Sequence, residues 1–258
     1  MIGWIMFHHY AQLTQEMVSN PQAITVIPLA AMEAHGPHLP LGTDGIIVDG
    51  ILDHAAALDQ SAHAVYRLPT LWLGASEEHV DHPGTLSLNA EQMISQIVAI
   101  GEGLAHCGLR RVMLFNAHGG NVAAAAIAAL KLRTRFGMLV ASAHWLDFGL
   151  PDGFTAPGSV MADVHGGWVE TSILLHVNPQ LVSKELPPPA PPATPTPSLF
   201  PNGNIQWGWK TSDLAQGGYI GWPDLATAAI GRALTAHAAE RLVQTLCELA
   251  DAKWAPQP

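Results

Sequence analysis

Apolar runs rich in β-branched residues recur along the chain, each followed by a polar, glycine-containing turn and then by residues at helical spacing. AITVIPLAA (23–31) leads through MEAHGPHLPLGTD (32–44) into DGIIVDGILDHAAALD (44–59). RRVMLFN (110–116) leads through AHGGN (117–121) into VAAAAIAALKLRTRF (122–136), and GMLVASA (137–143) leads into HWLD (144–147). This alternation predicts βαβ units with a buried sheet. The expected class is α/β: a single domain with a central, mostly parallel β-sheet flanked by helices on both faces. In that architecture ligand chemistry collects beyond the carboxyl ends of the strands.

Further helices are expected at 89–106, with Asn89 as N-cap and Gln92 three residues on, at about 166–177, and from Asp224 to roughly Ala252. LPPPAPPATPTPSLFP (186–201) is neither helix interior nor central strand, because proline fixes φ and lacks a donor. It is expected to be an extended loop within one domain spanning residues 1–258. The Trp- and Gly-rich stretch that follows, NGNIQWGWKTSDLAQGGYIGW (202–222), is too short to fold alone and should pack back over the site or a subunit contact.

Composition narrows the function. A length of 258 residues with 48% apolar content supports one substantial core. A formal charge of −10, with 11 Lys plus Arg, repels a phosphate backbone, so no nucleic-acid partner is expected. Cys107 and Cys247 lie far apart and outside the polar clusters, which argues against a disulfide framework or a thiolate site. The N-terminal stretch lacks the basic segment of a secretory signal, and no long uncharged apolar run would span a bilayer. A cytoplasmic protein without a membrane partner is expected.

Three clusters carry candidate chemistry. The first gathers Glu33, His35, His38 and Asp44 around the Gly36-Pro37 turn, although Asp44 could equally cap the next helix. The second sets His118 between a strand and a helix, with Gly119 and Gly120 allowing close backbone approach; a phosphate-binding turn competes with a ligand role. The third pairs His165 with Glu170. Five residues correspond to about 140° of helical rotation, so the two share a target only if His165 lies outside the helix. Glu170 could instead complement the helix dipole, and His165 could be a cap.

Jointly, His, Glu and Asp at the ends of three successive βα junctions suit a nitrogen- and oxygen-ligated transition ion. Enough carboxylates are present for one to bridge two ions, which together could acidify a shared water and polarise the bond under attack. Ser76 in GASEEH (74–79) lacks the second glycine of a nucleophile elbow and is not expected to be a nucleophile. Glu78 and His79 suit either a pocket wall or a solvated turn. Trp207, Trp209 and Trp222 could wall a planar substrate or serve packing.

The ordered set Glu33-x-His35-Gly36-x-His38 with Asp44, HPGTLSL (82–88), NAHGGN (116–121), VHGGWVETS (164–172) and GWPDLATAAIG (221–231) resembles the creatininase (creatinine amidohydrolase) family. The resemblance implies two divalent ions per chain, zinc first with manganese or iron(II) as alternatives. It also implies hydrolysis of a non-peptide C–N bond in a small molecule, and a homo-oligomer such as a hexamer. It makes Glu33 and His118 ligands of one ion, His35 a ligand of the other and Asp44 the bridge. His165 matches the family's catalytic histidine.

Creatininase proper has a glutamate where this chain has Gly120, which argues against creatinine as substrate and makes Glu170 the natural substitute ligand, with a part in catalysis. Substrate contacts are expected from His38, Glu78, Gly119, Gly120 and Trp207. Relatives deformylate a pyrimidine nucleotide, trim a modified peptide or open small rings. A metal-dependent isomerase or lyase, and a non-catalytic metal-binding regulator, are the alternatives.

Overall fold

A computed structural model describes residues 7–18, 20–58, 63–205 and 207–254. Residues 1–6 of the N-terminal stretch, and residue 59 of the first expected helix, lie outside the described residues. Five strands form one parallel sheet in the order β1-β3-β2-β4-β5: β1 Phe7–His9, β2 Ile24–Leu29, β3 Val65–Arg67, β4 Arg111–Asn116 and β5 Leu139–His144. The helices are α1 Thr43–Leu58, α2 Ala90–His106, α3 Asn121–Phe136, α4 Trp168–Val177, α5 Thr211–Leu214 and α6 Ala228–Asp251.

Alternation along the central strands divides the core in two. Ile24 and Val26 of β2, with Met113 and Phe115 of β4, face α1, α4 and α6. Ile27 and Leu29, with Val112 and Leu114, face α2 and α3. With both faces covered, the central strands β2 and β4 are buried along their whole length and mostly apolar, as a buried parallel sheet requires. Arg67 at the end of β3 clamps α1 through Asp49 and Asp53, at 2.6 and 2.5 Å. Arg111 opens β4 and donates to the carbonyls of Leu249 and Ala252 at the end of α6, at 2.6 and 3.2 Å.

Strand order sets the location of the site. The chain leaves β2 through α1 to reach β3 on one side, then crosses through α2 to β4 on the other side of β2. The connections therefore part between the carboxyl ends of β2 and β4, which opens a crevice there. The Glu33–His35 loop follows β2, and His118 follows β4.

The capping box Asn89/Gln92 forms as expected, with bonds of 2.8 and 2.9 Å. Two helix boundaries differ from expectation. α4 starts at Trp168 rather than 166, because Gly166 takes φ +59° and Gly167 is extended. α6 starts at Ala228 rather than Asp224: Thr227 is extended and its side chain accepts from Ile230 N at 3.2 Å, so residues 223–225 form a separate 3₁₀ turn. The proline-rich segment is an extended loop, tied down by paired backbone hydrogen bonds of 2.8 Å between Ala190 and Gly221. Among the described residues no helix is long and apolar enough to cross a membrane.

Candidate metal centre

Asp44 is the second residue of α1 rather than its cap. Its carboxylate turns inward, with Oδ1 3.2 Å from His35 Nε2 and Oδ2 3.3 Å from His118 Nδ1. Glu33 meets the same histidines: Oε2 lies 3.2 Å from His118 Nδ1, and Oε1 lies 3.7 Å from His35 Nε2. Glu170 brings Oε2 to 3.8 Å from His35 Nε2 while accepting from Gly166 N at 2.6 Å. His165 lies outside α4, as the rotation argument required. Its backbone pairs with Ile220 in both directions, at 3.0 and 2.6 Å.

One histidine carries more than the sequence indicated. His79 Nε2 stands 3.6 Å from Glu33 Oε1, the same separation as His165 Nδ1 from that oxygen. The His165 ring lies between those of His35 and His79, with centroids 4.2 and 4.0 Å away.

Each of the four imidazoles has one nitrogen already engaged. His35 Nδ1 is 3.1 Å from the Glu33 carbonyl, His118 Nε2 is 2.9 Å from the Ala75 carbonyl, and His165 Nε2 is 2.7 Å from the Ala34 carbonyl. His79 Nδ1 is 2.7 Å from Thr211 Oγ1, whose own proton goes to the Glu78 carbonyl at 3.1 Å. A carbonyl oxygen only accepts, and the Thr211 hydroxyl has already spent its donor. Each engaged nitrogen therefore carries the proton of the neutral ring, and in that form the lone pair of the opposite nitrogen faces the carboxylates.

With all four rings neutral, lone pairs face lone pairs across 3.2–3.8 Å, and Glu33 Oε1, Asp44 Oδ2 and His35 Nε2 are buried without a hydrogen-bond partner. Ligands bonded to zinc at about 2.0–2.1 Å in a tetrahedron stand about 3.3 Å apart. Three triads here have ligand atoms within 4.8 Å of one another: Glu33-His35-Asp44, Glu33-His79-His165 and His35-His165-Glu170. The donor set therefore fits divalent transition cations.

Without a cation, the carboxylates draw a second proton onto two of these rings. Burial alone disfavours the imidazolium of His35, yet Asp44, Glu170 and Glu33 override it and lift the group to about 9. His118 is likewise raised, against its burial, chiefly by Glu33 and Asp44. Burial and neighbouring imidazoles drive His79 and His165 down, and burial pushes Glu170 up to about 7. Two imidazoles attract protons while two refuse them. Divalent cations would hold all four neutral and every carboxylate ionised.

Of the remaining expected contacts, His38 is buried, with Nε2 2.9 Å from the Gly166 carbonyl and 3.1 Å from Thr171 Oγ1. Its charged form is disfavoured by burial, to about 4. Glu78 Oε1 is 3.3 Å from His118 Nε2. Glu78 and Glu170, 19% and 17% exposed, are the carboxylates of the cluster that reach solvent. A side chain at Gly120 would meet the Ala75 carbonyl, and its Cβ would lie 2.5 Å from both Glu78 Oε1 and His118 Nε2; Gly119 faces open space. Trp207 is half-buried, with an Nε1 that has no hydrogen-bond partner. Ser76 Oγ donates to Glu33 Oε2.

Sequence reasoning missed the weight of His79, whose partner Thr211 lies 132 residues away. It also missed Asp163, which accepts from the backbone N–H groups of Trp168, Val169 and Trp222 at 2.9–3.0 Å.

The family profile of creatinine amidohydrolases matches residues 11–246. A mycofactocin precursor peptide peptidase of Mycobacterium tuberculosis is 33% identical over 254 residues, covering 95% of this chain and 91% of that protein. Creatinine amidohydrolase of Pseudomonas putida is 28% identical over 208 residues, covering 71% and 76%. The crystal structure of a creatinine amidohydrolase (creatininase) superposes with a TM-score of 0.75 at 23% identity, covering 96% of this chain and 99% of that one.

Proposed function

Because the chain belongs to the creatininase family of hydrolases, we propose that it is a metal-dependent amidohydrolase that cuts a C–N bond in a short, modified peptide or another small amide. The observation that carries this reading is the orphaned, buried Glu33 Oε1, which faces ring nitrogens of His79, His165 and His35 at 3.6–3.7 Å. The name of the M. tuberculosis relative moves the substrate from a cyclic amide, amidine or formamide towards a peptide amide.

Glu33 and His118 would hold one ion, His35 and Glu170 the other, with Asp44 between them. Zinc suits this donor set, as do manganese and iron(II). A pair of such ions supplies Lewis acidity at the substrate carbonyl and acidifies water towards neutrality.

The protein's own groups handle position and protons. His165 Nε2–H is fixed on the Ala34 carbonyl, so Nδ1 is presented to the centre as a base that can accept a proton and return it to the departing nitrogen. Its depressed basicity keeps it neutral at rest. Glu170 assists at the solvent edge, and Glu78 with the open backbone at Gly119 meets the substrate on the His118 side, where Gly120 leaves room for the Glu78 carboxylate. His38 braces the Gly166 turn, and Trp207 would contact the substrate. A small-molecule substrate, with neither nucleic acid nor membrane involved, suits this buried centre. Leu41, Trp72, Leu73, Val80 and Leu86 remain exposed, which supports a homo-oligomer.

The test is a panel of capped dipeptides, N-formyl amino acids and cyclic amides, incubated with the metal-loaded protein and assayed for released amine. Release from the peptide amides, abolished by chelator and restored by zinc or manganese, is expected. Rearrangement without release would overturn the reading in favour of an isomerase.

A further inference from the structure

Two imidazole nitrogens at the centre are left over once a pair of ions is provided for. Glu33 with His118, and His35 with Glu170, supply that pair on either side of Asp44, and neither His79 Nε2 nor His165 Nδ1 enters the set. Both stand 3.6 Å from one atom, Glu33 Oε1, which is buried and has no hydrogen-bond partner. Glu33 meets His118 through its other oxygen, Oε2, at 3.2 Å. His35 Nε2 is 3.7 Å from Glu33 Oε1 but 3.2 Å from Asp44 Oδ1, so its nearer carboxylate is Asp44.

Both rings are aimed by partners behind them. His79 Nδ1–H donates to Thr211 Oγ1, and His165 Nε2–H donates to the Ala34 carbonyl, each at 2.7 Å. Thr211 is fully buried as the first residue of α5 and also donates to the Glu78 carbonyl at 3.1 Å, which pins the His79 ring against the centre. In the neutral rings the remaining lone pairs are turned to Glu33.

The separation decides what joins these atoms. A hydrogen bond between nitrogen and oxygen spans about 2.7–3.2 Å, so a shared proton does not close a gap of 3.6 Å. A proton on Oε1 would in any case reach only one of the two nitrogens. Two ligands bonded to one ion at about 2.1 Å, with about 120° between them, stand about 3.6 Å apart. The ligand atoms of all three residues lie within 4.8 Å of one another, and two imidazoles with one carboxylate are a zinc donor set. Glu78, which reaches solvent, places Oε1 3.9 Å from His79 Nε2 and marks the solvent side of this triad.

We infer that Glu33 Oε1, His79 Nε2 and His165 Nδ1 form a site for a third divalent cation, zinc by its donor type, which fills after the pair and silences His165. Filling last follows from charge: the pair already sets two dications against the carboxylates of Glu33, Asp44 and Glu170, and a further dication at close range is repelled. Silencing follows because a lone pair held by an ion accepts no proton. The inference rests on the two-ion hydrolase reading above, and it makes excess zinc a brake on the enzyme that zinc activates.

The test is equilibrium dialysis of chelator-stripped protein against buffered free zinc of rising concentration, with zinc per chain counted by elemental analysis. The parent is expected to take up two ions first, and a third at free zinc at least about tenfold higher. His79→Ala should keep both early ions and bind one ion fewer at saturation. Thr211→Val, which loosens the ring without removing it, should weaken the third ion by about tenfold and spare the early two. A parent that saturates at two ions, a His79→Ala protein that still binds the third, or one that loses an early ion would overturn the site.

Amide release is scored over the same zinc series. In the parent the rate should fall at least about tenfold as the third ion binds, whereas His79→Ala should hold whatever rate it shows with two ions. A third ion bound without slowing would overturn the silencing of His165. Two ions and amide release with no third ion would sink this inference alone. Uptake of all three ions with no amide cleaved would sink the hydrolase reading and leave the third-ion site standing.

Discussion

Asp44 Oδ2 lies 3.3 Å from His118 Nδ1, the nitrogen that keeps its lone pair in the neutral ring because the opposite nitrogen is held by the Ala75 carbonyl. The other oxygen of Asp44 stands in the same relation to His35. One carboxylate thus serves two imidazoles from two loops, the arrangement a bridging ligand needs. Asp44→Ala should therefore lose both ions, whereas Glu33→Ala and His35→Ala should each weaken one preferentially. Elemental analysis after dialysis against a graded chelator series separates these outcomes. Equal and complete loss in all three variants would leave Asp44 with no special role.

Thr211 braces the centre through His79, whose Nδ1–H it accepts, and through the Glu78 carbonyl, to which it donates. Removing an outer partner of this kind typically costs about 10–100-fold in metal affinity or activity. Thr211→Val should show a loss of that size, with Thr211→Ser restoring it. If His79 takes no part at the centre, Thr211→Val will change stability alone.

How much of this could be read in the sequence depended on the range of each interaction. Glu33, His35, Asp44, His118, His165 and Glu170 stand at the carboxyl ends of strands or at the start of a helix, where local pattern marks them, and the structure brings all six together. The Asn89/Gln92 box is local and formed as expected. Strands β1 and β3, at three residues each, are too short for an alternation to register. His79 sits in a polar turn indistinguishable from a solvated one until Thr211 folds back upon it. Asp163 is equally silent: its three donors come from α4 and from residue 222, and nothing in its flanking residues announces that. The onset of α6 was misplaced because Asp224 is as good a capping residue as Thr227, and only the backbone chooses between them.

Gly120 is held by space rather than by backbone conformation, since its φ of −62° suits any residue. Gly120→Ala should cost about 1–3 kcal/mol through overpacking against the Ala75 carbonyl, and should disturb His118. Gly120→Glu should not confer creatinine hydrolysis, because Glu78 already occupies the adjoining space. Calorimetric stability and a creatinine assay test both statements. A Glu variant active on creatinine would contradict them.

Asp163 is raised to about 6 by burial, against the pull of its three backbone donors. A carboxyl whose folded pKa lies above its unfolded value binds its proton more tightly when folded. Its contribution to stability is therefore full below about pH 4 and is lost as pH rises through about 6. Asp163→Asn removes this titration. Under chelator, to exclude metal effects, the melting temperature of the parent minus that of the variant should fall between pH 4 and pH 7. A difference that grows with pH would contradict the assignment.

The central claim is that buried oxygen and nitrogen donors from distant loops grip a pair of divalent cations, and it is tested most directly by counting those cations. On protein purified without added metal, elemental analysis should return about two transition ions per chain, as two-metal hydrolysis requires. Protein that carries no such ion, and takes none up when zinc, manganese or iron(II) is supplied, would contradict the account.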